Sequence, residues 1–151
     1  MKEKKINLIM MVIFAGMFGL NMCAANITLL GTGYVGLITG TCLAEFGNSV
    51  VCVDTDASKI DLLNQGIMPI YEPGLKELVL RNVASGRLIF TTHIAQAIDA
   101  SDCVFIAVGT PMNEDGCADL SALLSAFTMI LPHLNRYKII CVKSTVPVGT
   151  C

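Results

Sequence analysis

Charge is scarce in this chain: only 15% of the 151 residues are Asp, Glu, Lys or Arg, and the formal net charge is -2. That balance excludes a disordered acidic or basic tail, and it gives a nucleic-acid partner nothing to recognise. No C-x-x-C spacing occurs among the seven cysteines, and no histidine lies at ligand spacing from any of them. A zinc site and a disulfide framework are therefore not expected. Several cysteines sit in apolar runs, as in VVCVD and DCVFIAV, where a free thiol packs as a small hydrophobe in a reducing compartment. Histidine is limited to His93 and His133, which are far apart and read as surface or helix-end residues. No internal repeat or low-complexity linker is present. A long membrane-spanning run is lacking too. The most apolar stretch, Ile6–Leu20, has 15 residues, against about 20 needed to cross a bilayer.

That stretch belongs to a leader, residues 1–25, which precedes the rest of the chain. MKEKK is basic, INLIMMVIFAGMFGL is apolar, and MCAA supplies small residues, the layout of a secretory signal peptide. A short membrane anchor, or an extension foreign to the native start with translation beginning near Met22, are the other readings. Export would conflict with the motif at residues 31–36, whose reading below requires a cytosolic setting. The expectation is thus a cytoplasmic protein with a spurious or vestigial extension, with an anchored or exported form as the alternative.

Beyond Ala25 short apolar runs alternate with helical periods. NITLL, SVVCVD, LIFTT, CVFIAVG and YKIICVKS read as strands. Helices are expected over 34–46, where Val35, Ile38, Cys42 and Phe46 mark a face, and over 57–64. Further helices are expected from Leu75 to about Val83, over 94–100, and along the stripe Leu120, Leu123, Leu124, Phe127 and Leu131, with Asp119 as its N-cap. In the proline loop YEPGL, Pro73 is expected at a first helical position, with Glu72 favouring the helix dipole. The alternation argues an α/β fold, a Rossmann-like doubly wound parallel sheet with right-handed crossovers, over residues 26–151.

The chemistry concentrates at GTGYVG, residues 31–36, which follows a strand and opens a helix. Gly31 allows a tight turn. Gly33 lets backbone approach a pyrophosphate, and Gly36 lets helix and strand pack closely. The helix tip offers unpaired N–H groups to the phosphates. Asp54 ends the second strand 23 positions after Gly31, close to the spacing of a carboxylate that accepts from the ribose hydroxyls. A 2'-phosphate there would meet like charge, so NAD is favoured over NADP.

GTGYVG, YEPGL, VGTP and KSTVPVGT in this order resemble the UDP-glucose/GDP-mannose dehydrogenase family, from Asn26 to the C-terminus. Within it, VGTP followed by ADLS, together with KSTVPVGT, looks like the UDP-glucose branch. GDP-mannose and UDP-N-acetylmannosamine dehydrogenases are the alternatives, and a non-catalytic nucleotide-binding remnant is a third. The resemblance implies that Val35, Lys59, Thr110 and Thr145 contact NAD, with Thr145 also helping to hold a water; Lys143 receives no role. It implies oxidation of UDP-glucose at C6 by two NAD molecules through a cysteine-bound thioester, for polysaccharide precursors, by a homodimer when the enzyme is full length. The family's catalytic Cys, Lys, Asn and Glu lie beyond this segment, and Cys151 lacks the glycine-flanked setting of the nucleophile. No catalytic residue is expected within the chain. The expectation is a C-terminally truncated cofactor half that cannot turn over substrate alone.

Overall fold

The computed structural model describes residues 24–150, apart from 115; all but the last two residues of the leader, and Cys151, lie outside these residues. The elements follow the chain as β1 Asn26–Leu30, α1 Tyr34–Glu45, β2 Ser49–Val53, α2 Ala57–Asn64, α3 Leu75–Ala84, β3 Leu88–Thr91, α4 Ile94–Ala100, β4 Cys103–Ile106, α5 Ser121–Ile130, a 3-10 turn Leu131–His133, and β5 Ile139–Val142. The five strands form one parallel sheet in the order β3-β2-β1-β4-β5. This is the expected α/β doubly wound arrangement. The central strands read as continuous apolar runs because helices cover both faces.

Two cores flank the sheet. Leu29, Leu37, Val50, Leu63, Val79 and Leu88 pack on the face covered by α1, α2 and α3. Leu30, Val104, Ile98, Ile106, Leu123 and Ile130 pack on the face covered by α4 and α5. Successive residues of β1, Leu29 and Leu30, thus point into different cores, as strand pleating requires. The order reverses at β1, whose neighbours β2 and β4 carry the chain away in opposite directions. A crevice therefore opens beyond the C-terminal ends of β1 and β4.

The helical faces differ from the expectation at three places. Val35, Ile38, Cys42 and Phe46 were expected to mark the inner face of α1; Ile38 is half-buried against the core, but the other three are exposed, and the buried residues are Gly36, Leu37, Gly40, Thr41 and Ala44. The helix lies against the sheet on a face of mostly small residues, which carries little hydrophobic periodicity. On α5 the buried residues are Leu123, Ala126 and Ile130, whereas Leu124 and Leu131 face outward. Leu120 takes the N-cap position, and the Asp119 carboxylate instead accepts from the Ser121 N–H at 2.8 Å. Helix α3 begins only at Leu75, capped by Gly74 in the left-handed region (φ 82°). Pro73 is therefore outside the helix rather than at its first position, because the chain must first turn through Gly74.

Candidate functional site

The turn after β1 shows what each glycine is for. Gly31 has φ 94°, and a Cβ there would lie 2.7 Å from the Ala107 carbonyl oxygen. Gly36 carries α1 so close to the turn that a Cβ would overlap the Gly31 carbonyl oxygen and lie 2.9 Å from Leu29 Cδ2. Gly33 differs: nothing lies within 4 Å of where its Cβ would stand. Its backbone borders open space, so packing within this chain does not require a glycine there.

Gly33 is also the N-cap of α1, and no side chain caps that helix. Helix α2, by contrast, has its first turn satisfied by the Asp56 carboxylate, which accepts from the Lys59 N–H. The first-turn N–H groups of a helix have no intrahelical acceptor, and the helix dipole leaves them positive. At α1 these groups border the crevice, ready for an anion.

Asp54 leaves the end of β2 toward the same turn. Its Oδ2 accepts from the Thr32 N–H at 2.8 Å, the Thr32 hydroxyl at 2.7 Å and Lys59 Nζ at 3.2 Å. Its Oδ1 accepts from the Asp56 N–H at 3.1 Å. Partial burial pushes the Asp54 pKa up, but the bonds from Thr32, Asp56 and Lys59 outweigh it and hold the carboxyl below its ordinary value. The group is ionised at neutral pH. Sequence reasoning passed over Thr32, which is fully buried and ties the glycine turn to the acid. Its position between two fingerprint glycines, facing a strand-end carboxylate, was the available signal.

Two hollows flank this turn. One, of about 170 Å³, runs beside Gly31, Asp54 and Thr55 to Ile94, Ala126 and Met129. The other, of about 220 Å³, is lined by Gly33, Tyr34 and Val35 on one side and by Gly109, Thr110, Ser144 and Thr145 on the other. Thr110 and Thr145, distant in sequence, meet here. The Thr110 hydroxyl donates to the Thr145 carbonyl at 2.7 Å. The two hydroxyl oxygens are 2.8 Å apart; with the Thr110 proton engaged, Thr145 is the donor between them. Ser144 donates to the Val108 carbonyl at 2.7 Å and fixes the β5 exit against the β4 exit. The sequence-derived candidates thus fall into two groups: Gly31 and Asp54 line one hollow, with Lys59 bonded to Asp54, and Gly33, Val35, Thr110 and Thr145 line the other. Gly36 holds the helix between them.

No activated thiol is found at Cys52 or Cys103. Burial pushes the Cys52 thiol up to about 12. Burial and the neighbouring Cys141 push Cys103 up to about 11. A nucleophilic cysteine needs the opposite shift.

A parallel sheet reversing at β1, an uncapped glycine turn and a carboxylate on the next strand define a dinucleotide-binding Rossmann domain. Comparison with known proteins narrows this. Residues 25–151 match the NAD-binding domain of the UDP-glucose/GDP-mannose dehydrogenase family. UDP-glucose 6-dehydrogenase TuaD of Bacillus subtilis is 59% identical over 125 residues, covering 83% of this chain and 27% of its own length. The UDP-glucose 6-dehydrogenase of Rhizobium meliloti is 55% identical over 126 residues, covering 83% and 29%. Among solved structures, a UDP-glucose dehydrogenase from Pyrobaculum islandicum superposes with a TM-score of 0.81 at 40% identity, over 87% of this chain and 31% of that one. A ternary complex of GDP-mannose dehydrogenase from Pseudomonas aeruginosa gives 0.79 at 39%, over 83% and 29%. The chain belongs to the UDP-glucose/GDP-mannose dehydrogenase family, and the matched segment is its NAD-binding domain. It spans under a third of the length of the curated relatives it matches. Among the described residues no helix is long and apolar enough to cross a membrane.

Proposed function

We propose that this chain is the NAD-holding part of a UDP-glucose 6-dehydrogenase acting in the cytoplasm as a homodimer. The observation that carries the reading is the uncapped first turn of α1 facing open space over Gly33, with ionised Asp54 at the end of the adjacent strand. The pyrophosphate would lie on the N–H groups from Gly33 to Gly36. Asp54 would serve the adenosine ribose through Oδ1, which receives only the Asp56 N–H and keeps a lone pair. Its Oδ2 is engaged by Thr32 and Lys59, so Lys59 would meet the second ribose hydroxyl. Val35, Thr110 and Thr145 would border the nicotinamide end, with the Thr110–Thr145 hydroxyl pair as the polar group that can hold a water. When bound, NAD supplies the hydride acceptor for alcohol oxidation. UDP-glucose is the preferred substrate because curated relatives 51%, 55% and 59% identical carry that name. GDP-mannose and UDP-N-acetylmannosamine dehydrogenases of similar fold keep the alternative substrates in view.

Calorimetric titration of the chain with NAD and NADP tests the cofactor part. NAD should bind at least tenfold more tightly than NADP. Asp54→Ala should weaken NAD by about tenfold to a hundredfold, as expected when a buried acceptor of about 1–3 kcal/mol is removed. Equal affinity for the two dinucleotides, or no binding by the unaltered chain, would overturn the reading.

A further inference from the structure

The YEPGL loop has no part in the cofactor site as described, yet it is tied to that site. Tyr34 is the first residue of α1, and its half-exposed ring lines the hollow shared with Thr110 and Thr145. The Tyr34 hydroxyl donates to Glu72 Oε2 at 2.6 Å. Glu72 was expected to serve the dipole of α3. Instead its side chain reaches to α1, while its backbone carbonyl accepts from the Leu75 N–H at 3.1 Å. Its carboxylate thus grips the glycine turn and its carbonyl grips the start of α3. Leu75 and Val79 anchor that helix in the core, with 3% and 0% exposure.

We propose that Tyr34 and Glu72 form a latch that couples the order of the YEPGL loop to occupancy of the dinucleotide crevice. Tyr34 is a positioning residue: its ring walls the crevice, and Glu72 fixes the ring's direction. The physical reason is local. A tyrosine ring on a helix end turns about two side-chain torsions, and a charge-assisted O–H···O⁻ bond selects one setting. A dinucleotide lying along Gly33–Val35 covers the exposed face of that ring. Holding the ring strengthens its bond to Glu72, and holding Glu72 orders residues 67–74. The coupling is reciprocal: an ordered loop raises affinity in the crevice by the same factor. The hydrogen bond and charge of Glu72 also hold the Tyr34 phenol above its ordinary ionisation range, which gives the latch a spectroscopic signature. The coupling rests on the cofactor reading given above, whereas the latch can be read without cofactor.

Three readouts on the full chain test this, with Tyr34→Phe, Glu72→Ala and Glu72→Gln. Absorbance titration at 295 nm, taken as the unaltered chain minus Tyr34→Phe, isolates the Tyr34 phenol. It should ionise at higher pH in the unaltered chain than in Glu72→Ala. Hydrogen exchange should show NAD protecting residues 31–36 in every variant. Residues 67–74 should be protected in the unaltered chain and in Glu72→Gln, whose amide oxygen still accepts, but not in Tyr34→Phe or Glu72→Ala. The Kd for NAD should rise about threefold to tenfold in each of the latter two variants, and no further when they are combined. Protection of 67–74 that persists without the hydroxyl, or additive losses in the double variant, would overturn the coupling. Identical phenol titration with and without Glu72 would overturn the latch. Absence of NAD protection at 31–36 in the unaltered chain overturns the cofactor reading instead, and with it the coupling, while the phenol titration still decides the latch.

Discussion

Gly33 and Gly36 are three residues apart in one fingerprint, and adding a methyl group to each should damage different properties. At Gly36 the new Cβ would overlap the Gly31 carbonyl oxygen and press on Leu29 Cδ2 at 2.9 Å. The carbonyl belongs to backbone held by the Gly31 N–H bond to the Val53 carbonyl, so it cannot swing aside. Helix α1 must lift off the sheet, and Leu37, fully buried beside Gly36, lifts with it. Overpacking of this kind costs about 1–3 kcal/mol and more when backbone must move; about 3 kcal/mol is expected for Gly36→Ala. For a domain of this size that is a fall in Tm of roughly 10 °C. At Gly33 nothing stands within 4 Å, and the backbone, at φ -70° and ψ -170°, suits any residue. Gly33→Ala should therefore cost only about 0.5–1 kcal/mol, the difference between N-cap glycine and alanine. Its methyl group stands where a pyrophosphate must approach the helix tip. Losing one charge-assisted bond there, about 2 kcal/mol, weakens NAD by about 30-fold. Thermal unfolding without ligand and calorimetry with NAD separate the two effects. Unchanged NAD affinity in Gly33→Ala would refute the assignment of the pyrophosphate to this turn. Unchanged Tm in Gly36→Ala would refute the close-packing argument.

Two further outcomes follow from the packing around the site. The folded-state pKa of Asp54 lies below its ordinary value of 3.8. Its contribution to stability is thus complete above about pH 4 and is lost as the pH falls through the folded value. Urea unfolding of the unaltered chain should weaken from pH 5 toward pH 2, with a shallower decline in Asp54→Asn; parallel declines would show that Asp54 has no such role. Against the sheet, a Cβ on Gly40 would lie 2.6 Å from Cys52 Sγ. Gly40→Ala should cost about 1–3 kcal/mol in chemical denaturation, and adding Cys52→Ala should recover part of that loss, whereas strictly additive losses would mean the two atoms do not collide.

Much of the fold was legible before any coordinates, and for a definite reason. Fully buried parallel strands are written as unbroken apolar runs, so β1, β2 and β4 stand out in NITLL, SVVCV and CVFI. Strand ends were overestimated because the chain leaving them stays apolar: Ala107 still donates its N–H to the Leu30 carbonyl, but it and Val108 lie beyond Ile106, the last residue in register with β1. The glycine turn and Asp54 could be anticipated from motif order, and the meeting of Thr110 with Thr145 from the family resemblance, which assigns both to one ligand. The Thr32 bond to Asp54 could not be read from hydrophobic periodicity, only from its place between two fingerprint glycines ahead of a strand-end acid. Nor could the reach of Glu72 to Tyr34, a bond across 38 positions of sequence.

The misread face of α1 carries the most instruction. Hydrophobic periodicity located the helix but, Ile38 apart, selected its solvent side, because Val35, Cys42 and Phe46 are larger and more apolar than the Gly36, Gly40, Thr41 and Ala44 that touch the sheet. A helix whose tip must reach a ligand beyond the end of β1 has to lie close to that strand. Closeness demands small residues, and small residues erase the periodic signal. The Thr41 hydroxyl, turned back onto the Leu37 carbonyl at 2.7 Å, meets its own helix and so can be buried on that thin face. The same requirement that aims the helix dipole into the crevice therefore hides the helix's inner face from hydrophobicity. In an α/β sequence, a glycine-rich helical face beside a fingerprint is better evidence of contact with the sheet than a row of large apolar residues.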